Sequence, residues 1–337
     1  MNATNQSMPA EFDVTKTHVV HEWKHTSPLI TCRFAPDGHH VFSSAEDCSI
    51  QRWAFDSGEV VALDGHDSWV RDLVLTPDSE TLISVASDEQ MLFWSAKEAA
   101  SKPIRSVAAH QGWIRCLDID PSGKFVVTGG NDCLVKLWDV ETGKQMAQLE
   151  GHDHHVYSVM FHPDGKQILS GDLEGKVRIW EIETGKEAAL IDAAELHSYN
   201  KGQRVNYGGV RSLAFTPDGA YPACGGLHKA TNPLGAINEP LVLLFDWETK
   251  EKKRACVADG VRGVIWRLLY LPDGTLVAAS GGGGGGYLLF WTDAAEKATH
   301  QLKLKDTVRG MDVHPDRLHV ATTHWDRHLR ISRMSKA

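Results

Sequence analysis

The feature that most constrains this chain is a four-part pattern that recurs along it. The clearest copy is residues 110–149, HQGWIRCLDIDPSGKFVVTGGNDCLVKLWDVETGKQMAQL. Four short runs rich in β-branched and aromatic residues alternate there with turn formers such as Pro121-Ser122-Gly123. The pattern predicts a small antiparallel sheet of four strands.

The copies keep a common register. Asp132 and Thr128 lie six and ten residues before Trp138, and the same offsets give an acid and a hydroxyl residue before three other tryptophans. Those sets are Asp47 and Ser43 before Trp53, Asp88 and Ser84 before Trp94, and Glu174 and Ser170 before Trp180. A proline also begins the first turn of each copy: Pro36, Pro77, Pro121, Pro163, Pro217, Pro272 and Pro315. The prolines predict seven copies.

A period of about 40 to 45 residues with four strands in each copy is typical of β-propeller blades. The pairs Gly65-His66, Gly151-His152 and Trp138-Asp139 match the defining dipeptides of the WD-repeat (G-protein beta-subunit-like) family, which the chain resembles from about Thr17 to Met334. The resemblance implies an all-β fold, a seven-bladed β-propeller of four-stranded antiparallel blades. We expect the blades to begin near residues 26, 66, 110, 152, 208, 261 and 306.

We expect one domain, residues 17–334, after a disordered leader at 1–16. Blade seven has only three strands before the chain stops, which would leave an unpaired edge. Residues 17–25, which contain THVVHEW, are predicted to supply its fourth strand and close the ring.

The resemblance also implies a buried hydrogen-bond chain in each blade, from a loop histidine through the hydroxyl and the acid to the tryptophan. The loop histidines would be His25, His66, His110 and His152. A buried polar group without a partner costs about 1 to 3 kcal/mol, so the turn acids are expected to be structural rather than catalytic. Blade five has Phe245 and Gly235 at the tryptophan and hydroxyl places, and blade six has Gly285 at the acid place. We expect these two blades to be the least rigid.

Charge and composition exclude several classes of function. A formal charge of -9 argues against non-specific binding to nucleic acid or to an anionic membrane. No apolar run is long enough to span a bilayer, and the first residues do not resemble a secretion signal. The six cysteines fall at repeat-equivalent places, too far apart to bridge. We expect a reduced, cytoplasmic protein and leave its oligomeric state open.

The candidate site is the mouth of the central channel, where the first strand of each blade begins. The residue six places before each turn proline is Ile30, Arg71, Arg115, Tyr157, Arg211, Trp266 or Arg309. Further large side chains at this rim are Trp69, Trp113, His155 and Trp325. In WD-repeat proteins this position commonly contacts the partner, so the resemblance implies a binding surface. Four arginines would make a positive funnel for an acidic or anionic partner. The alternative is that each arginine pairs with a nearby acid such as Asp72 or Asp312.

Two long insertions are predicted on the same rim. The connection after blade four expands to about 187–208, and the two-to-three hairpin of blade five expands to about 225–240. Insertions concentrated on one face of a repeat array often mark its binding face.

Catalytic and metal signals are weak. The sets His18, His21, His25 and His324, His328 do not converge on extended strands. The run Gly281 to Gly286 lacks the ending of a phosphate-binding loop, and there is no nucleophile elbow. We therefore expect no metal, no cofactor and no catalysis, but a scaffold for a protein or peptide. A small-anion sensor or propeller enzyme, and a purely structural subunit, stay open as alternatives.

Overall fold

The computed structural model describes residues 7–98, 102–230, 238–292 and 294–336. Its strands form seven antiparallel sheets of four strands, arranged in a ring, so the predicted seven-bladed β-propeller is confirmed. Within the described ranges no helix has the length and apolar character needed to cross a membrane.

The strand bounds follow the repeat. Before blade one comes β1 (His18–Lys24), and blades one and two are β2 (Leu29–Phe34), β3 (His40–Ala45), β4 (Ile50–Ala54), β5 (Val60–Leu63), β6 (Val70–Leu75), β7 (Thr81–Ala86), β8 (Gln90–Ser95) and β9 (Arg105–Ala108). Blades three and four are β10 (Ile114–Ile119), β11 (Phe125–Gly130), β12 (Val135–Asp139), β13 (Gln145–Leu149), β14 (Val156–Phe161), β15 (Gln167–Asp172), β16 (Lys176–Glu181) and β17 (Glu187–Asp192).

A separate hairpin, β18 (His197–Asn200) and β19 (Val205–Gly208), precedes the last three blades. These are β20 (Ser212–Phe215), β21 (Pro222–His228), β22 (Glu239–Phe245), β23 (Lys252–Val257), β24 (Val264–Tyr270), β25 (Leu276–Gly282), β26 (Gly285–Trp291), β27 (His300–Leu304), β28 (Val308–Val313), β29 (His319–His324) and β30 (His328–Arg333). In the described ranges, short 3₁₀ helices lie at Val14–Lys16 and Ala194–Leu196.

The ring closes as the sequence predicts. Strand β1 pairs antiparallel with β30, His18 opposite Arg333 and Lys24 opposite His328, so blade seven gains its fourth strand. The side chain of Arg330 is buried beneath this joint and donates to Glu22 at 3.2 Å. The N-terminal strand therefore removes the exposed edge that three strands would leave.

Residues 7–16, predicted as part of a disordered leader, make defined contacts in the structure. Phe12 forms a bridge with Ser335, and the Asp13 amide donates to the Met334 carbonyl at 3.0 Å. Val14 is buried against blade six and seven residues such as Leu271. Residues 1–6 of that leader lie outside the described part of the chain.

The hydrophobic core lies between the blades. Among the described residues, seven apolar clusters fill the seven interfaces between neighbouring sheets. In one of them Trp53 and Leu29 of blade one pack with Leu329 and Ile331 of blade seven, so the first and last blades are joined in the same way as the others. Apolar burial of this kind is the main term that holds the ring together.

The predicted hydrogen-bond chain is complete in blades two, three and four. In blade three, His110 Nδ1 lies 2.8 Å from Asp132, its Nε2 lies 2.8 Å from the Thr128 hydroxyl, and the Trp138 indole donates to that hydroxyl at 2.9 Å. Burial opposes ionisation of Asp132, but hydrogen bonds from His110 and from backbone amides outweigh it and lower the pKa of this carboxyl. In blade one Gln51 lies between Ser43 and His25, so the chain is longer by one residue.

In blade four the predicted acid of the hydrogen-bond chain, Glu174, is wrong. Asp172, not Glu174, accepts from His152 at 2.8 Å, while Glu174 pairs with His154. Asp172 occupies the place of Gly130 in blade three, where a Cβ would meet His110 and the Asp132 carboxylate. The two blades thus fill the same space with a carboxylate from different positions of the turn. A fixed offset identifies the register but not which of the two positions supplies the acid.

Blades five and six also differ from the offsets. Gly235, expected at the hydroxyl place of blade five, lies outside the described residues, and the register puts Cys224 at that place. The inserted hairpin separates the two strands, so counting back from Phe245 fails. In blade six the indole of Trp291 donates instead to the Val257 carbonyl at 3.1 Å. Lower rigidity of these blades stays a prediction.

The glycine run of blade six is closely packed. Gly281 and Gly286 face each other across β25 and β26. A Cβ on Gly281 would collide with the Val308 carbonyl, and one on Gly286 with the Asp306 carbonyl, both on the chain entering blade seven. Glycine is needed there because the backbones of two blades approach each other.

The first insertion begins later than predicted. Residues 187–192 form β17, the outer strand of blade four, so the added segment consists of the 3₁₀ helix Ala194–Leu196 and the hairpin of β18 and β19. The second insertion extends β21 and β22 beyond the usual length to His228 and Glu239.

Candidate functional site

A recurring irregularity of the first strands aims the predicted residues at the channel mouth. The ladder between the first and second strands shifts register at Arg71, Arg115, Tyr157, Trp266 and Arg309. A β-bulge leaves its extra residue unpaired and redirects the side chain. Arg211 lies just before β20 and donates its amide to the Gly225 carbonyl. These six residues and Ile30 line one cavity of about 150 Å³ at the mouth.

The side chains around the mouth form a continuous stack of alternating cations and aromatic rings. The guanidinium carbon of Arg71 lies 5.0 Å from the Trp69 ring centroid and 4.6 Å from that of Trp113. Arg115 follows, at 5.4 Å from Trp113 and 4.4 Å from Tyr157. These distances are within the range of cation–π attraction.

The stack continues through the next blades. Arg211 lies 3.8 Å from the Tyr157 ring centroid and 5.8 Å from that of Trp266. The stack ends at Trp266, and Arg309 makes a separate contact in blade seven, where its guanidinium carbon lies 5.2 Å from the Trp325 ring centroid. We call Arg71, Arg115, Arg211 and Arg309 the arginine ring. Their guanidinium groups come from four blades, yet they converge on a single opening.

Hydrogen bonds from the two-to-three turns hold part of the arginine ring in place. The Nε of Arg71 donates to the Ser87 hydroxyl at 2.7 Å, and that of Arg115 donates to the Asn131 side-chain oxygen at 2.5 Å. Sequence analysis did not identify Ser87 and Asn131, although both directly precede the turn acid of their blades. That shared place next to a structural acid could have identified them.

The alternative that each arginine pairs with a nearby acid fits only one member of the arginine ring among the described residues. Arg309 forms an ion pair of 2.7 Å with Glu46 of blade one, a residue that sequence analysis missed. Within the described ranges, Arg71, Arg115 and Arg211 form no ion pair, and Asp72 is taken by Arg33 at 2.5 Å. The Nε of Arg211 is buried and finds no hydrogen-bond partner among the described residues. Most of the positive charge at the mouth is therefore uncompensated.

The pKa values of three of these arginines are lowered. Partial burial, with the positive charges of Arg115 and Arg309, lowers the pKa of Arg71 to about 10. Burial also lowers the pKa of Arg115 and of Arg211. At neutral pH all three guanidinium groups still carry their positive charge. An anion bound at the mouth would therefore reduce the repulsion between these charges.

A second layer of charges lies deeper in the channel. Five charged residues lie on the first strands, one to three places further along from the residues at the mouth: Arg33, Asp72, Asp118, Arg267 and Asp312. Carboxylate oxygens of Asp118 and Asp312 accept the amides of the next blade, Phe161 at 2.8 Å and Phe34 at 2.7 Å. Burial raises the pKa of Asp118 to about 6 and also raises that of Asp312. The channel thus changes from positive at the mouth to mixed charge below.

The aromatic residues at the rim are accessible to a partner. Trp69, Trp113, Trp266 and Trp325 are between 37% and 53% exposed, which is unusual for tryptophan. The indole of Trp266 is fixed by donation to the Gly281 carbonyl at 3.2 Å. His155 is half-buried, and burial together with the charge of Arg115 lowers its pKa, so it is neutral at neutral pH.

Comparison with known proteins places these features in a family context. The family model described as "WD domain, G-beta repeat" matches residues 17–54, 58–95, 101–139 and 143–181. Similar relatives include Protein hir1 of Schizosaccharomyces pombe, which is 27% identical over 34% of this chain and 14% of its own length. Nuclear distribution protein PAC1 of Candida dubliniensis is 30% identical over 36% of this chain and 26% of its own length.

A third relative, uncharacterized WD repeat-containing protein C126.01c of Schizosaccharomyces pombe, is 26% identical over 41% of this chain and 40% of its own. The chain therefore spans less than half of the length of each of these relatives.

Proposed function

Because this chain is a member of the WD-repeat family, we propose that it is a non-catalytic module that binds a protein or peptide at the arginine ring. The partner presents carboxylate or phosphate groups to the guanidinium groups and an apolar or flat surface to the exposed tryptophans. A cytoplasmic location is part of the same proposal, and the six cysteines are free thiols, as a reducing compartment would leave them.

The observation that carries the proposal is the uncompensated charge of Arg71, Arg115 and Arg211, held on aromatic rings around one cavity. Arginine in a planar, preoriented position recognises carboxylate and phosphate through paired hydrogen bonds. Arginine, tryptophan and tyrosine are also the residues that dominate binding energy at interfaces. Binding costs little side-chain entropy, because stacking and the hydrogen bonds to Ser87 and Asn131 already fix the side chains of Arg71 and Arg115.

The deeper charges limit how far an anion enters. Deeper in the channel, Asp72, Asp118 and Asp312 accompany Arg33 and Arg267, so a carboxylate there would meet three acidic groups as well as two cations. The acidic group of the partner therefore binds at the mouth, beside the tryptophans. The inserted hairpin of β18 and β19 runs directly into Arg211, which makes it a second contact for a partner larger than a single side chain.

The test compares labelled ten-residue peptides rich in Asp and Glu with the same sequences carrying Asn and Gln, by fluorescence anisotropy at low salt. The wild type is expected to prefer the acidic set. The double substitution R115A/R211A should weaken that binding at least tenfold with little change in melting temperature, because neither guanidinium forms an ion pair with another described residue.

The control is K144A/K253A, which removes two exposed cations outside the channel mouth, Lys144 in the turn between β12 and β13 and Lys253 in the outer strand β23. It should bind the acidic peptides as the wild type does. Equal binding by the arginine variant and the control, or no preference for acidic peptides, would overturn the proposal.

A small-anion sensor or enzyme remains the second candidate, because the cavity of about 150 Å³ could hold a phosphate or carboxylate alone. Phosphates, carboxylates and lactones can be screened for stabilisation against heat. A rise in melting temperature with a small anion, abolished in R115A/R211A, would favour this candidate.

A further inference from the structure

Two histidines and an aspartate come together at the first turn of blade seven and the start of β29, on the rim opposite the arginine ring. His314, Asp316 and His319 each offer one ligand atom, and the three atoms lie within 4.8 Å of one another. The Asp316 Oδ2 lies 3.1 Å from Nδ1 of His314 and 2.6 Å from Nδ1 of His319. We propose that this turn binds a divalent transition-metal ion such as Zn²⁺.

The two imidazole rings are fixed before any metal arrives. His314 Nε2–H donates to the Gly38 carbonyl at 2.9 Å, so Nδ1 carries the lone pair. This nitrogen accepts the Asp316 backbone amide at 3.1 Å, a bond that a metal ion would replace. The ring stacks on Phe55 with centroids 4.4 Å apart, and His319 packs edge-on against the same phenylalanine at 5.4 Å. Donation of the second ring nitrogen to a carbonyl is the usual support of a metal-binding histidine.

The carboxylate of Asp316 is equally well oriented. Its Oδ1 accepts the backbone amides of Leu318 at 2.8 Å and His319 at 3.1 Å, which leaves Oδ2 for the imidazoles. Within the described part of the chain, no lysine or arginine forms an ion pair with Asp316. Donor atoms around a tetrahedral ion with bonds of about 2.0 to 2.2 Å lie about 3.3 to 3.6 Å apart. Asp316 Oδ2, at 3.1 Å and 2.6 Å from the two ring nitrogens, therefore needs to move by less than about 1 Å to admit the ion.

Blade four contains the same turn without the third donor. His162 lies 2.8 Å from Asp164, approaches the Gly219 carbonyl at 3.4 Å and stacks on Trp247. At the place of His319, blade four has Gln167, which donates to Glu181 instead. The pair of histidine and aspartate is therefore sufficient to link neighbouring blades. His319 adds a ligand that this link does not need.

The chemistry of the set selects the kind of ion. Two imidazole nitrogens and one carboxylate favour Zn²⁺ and similar borderline ions over Mg²⁺ or Ca²⁺, which prefer oxygen alone. The side chains of Asp316 and His319 are 34% and 18% exposed, so the ion is reached from solvent and water completes its coordination. Sequence analysis missed this site because it considered strand spacings rather than a turn.

Isothermal titration of the metal-stripped full chain with Zn²⁺ tests the proposal. The wild type should bind one Zn²⁺ ion more tightly than the other histidines of the chain bind Zn²⁺. The variant H319Q should bind this ion at least tenfold more weakly. The glutamine reproduces the turn of blade four, so the link between blades is kept. The matched control is H40Q, which removes the histidine at the same place in blade one, where Ala35 replaces the first ligand.

A footprint on the wild type makes the result independent of how the variants fold. Zn²⁺ at one equivalent should protect His319 from diethylpyrocarbonate and leave His40 reactive. Absence of Zn²⁺ binding, equal affinity of wild type and H319Q, or protection of His40 with His319 still reactive would each refute the site.

Discussion

At the scale of single residues, the channel places buried acidic and basic side chains next to one another, where each alone would be costly to bury. Asp118 lies among Arg33, Arg267, Asp72 and Asp312, and its pKa is about 6 because burial outweighs the Phe161 amide and the two arginines. A carboxyl with a raised pKa binds its proton more tightly in the folded protein than in the unfolded chain. Its contribution to stability is thus full below about pH 4 and is lost as the pH rises through about 6.

We predict that D118N removes this part of the pH dependence. Asparagine keeps an oxygen for the Phe161 amide but carries no charge. Relative to D118N, the wild type should lose about 1 to 3 kcal/mol of unfolding free energy between pH 4 and pH 7.5, measured by urea denaturation at each pH. The exposed Asp64, changed to asparagine, serves as the control. A difference between wild type and D118N that does not vary with pH would contradict the assignment.

Residue identities were predictable where spacing alone determines them. The offsets from Trp94 and Trp138 identified every member of the hydrogen-bond chains of blades two and three, because those turns have the same length and the same acid position. They failed for Asp172, since a side chain from a neighbouring turn position can fill the same space. Asp118 was not singled out because its pKa depends on blades that are distant in sequence.

At the scale of elements, contacts between blades decide which residues are allowed. Gly286 faces the Asp306 carbonyl, which also accepts from His324 Nδ1 at 2.9 Å. A side chain there would separate blades six and seven. Gly286 is thus a position where no side chain fits. The register shifts in the first strands, in contrast, direct large side chains into the open mouth.

We predict that G286A destabilises the protein by about 1 to 3 kcal/mol, because its Cβ would collide with a backbone carbonyl that cannot move without disturbing His324. G202A, in the exposed hairpin between β18 and β19, should be nearly neutral. Thermal and urea unfolding of the two variants measure the difference. Equal stability of both variants would show that the glycine run is loose rather than closely packed.

The sequence predicted the strands and the closing β1, since alternation, turn residues and the need to cover an edge each act locally. It could not predict the β-bulges at Arg71 or Arg115, because the bulge depends on pairing between strands rather than on either strand. The start of the first insertion was misplaced for a similar reason, as 187–192 reads as loop until it pairs with β16.

At the scale of the whole molecule, an acidic protein of formal charge -9 concentrates uncompensated arginines at one mouth of its channel. Like charges from blades two, three, five and seven meet only because seven blades close a ring. Such a local positive field attracts an anionic partner over about a Debye length and weakens as salt is added. That the arginines would share one opening followed from the repeat register, but their stacking on Trp113 and Tyr157 required the structure.

The most direct test of the proposed site is a crystal structure of the protein with the best acidic peptide from the anisotropy series. We predict that a carboxylate of the peptide lies within about 3 Å of guanidinium nitrogens of Arg115 or Arg211, with peptide side chains against Trp113 or Trp266. A peptide bound on the opposite rim or on the outer strands, with the arginine ring empty, would contradict the account.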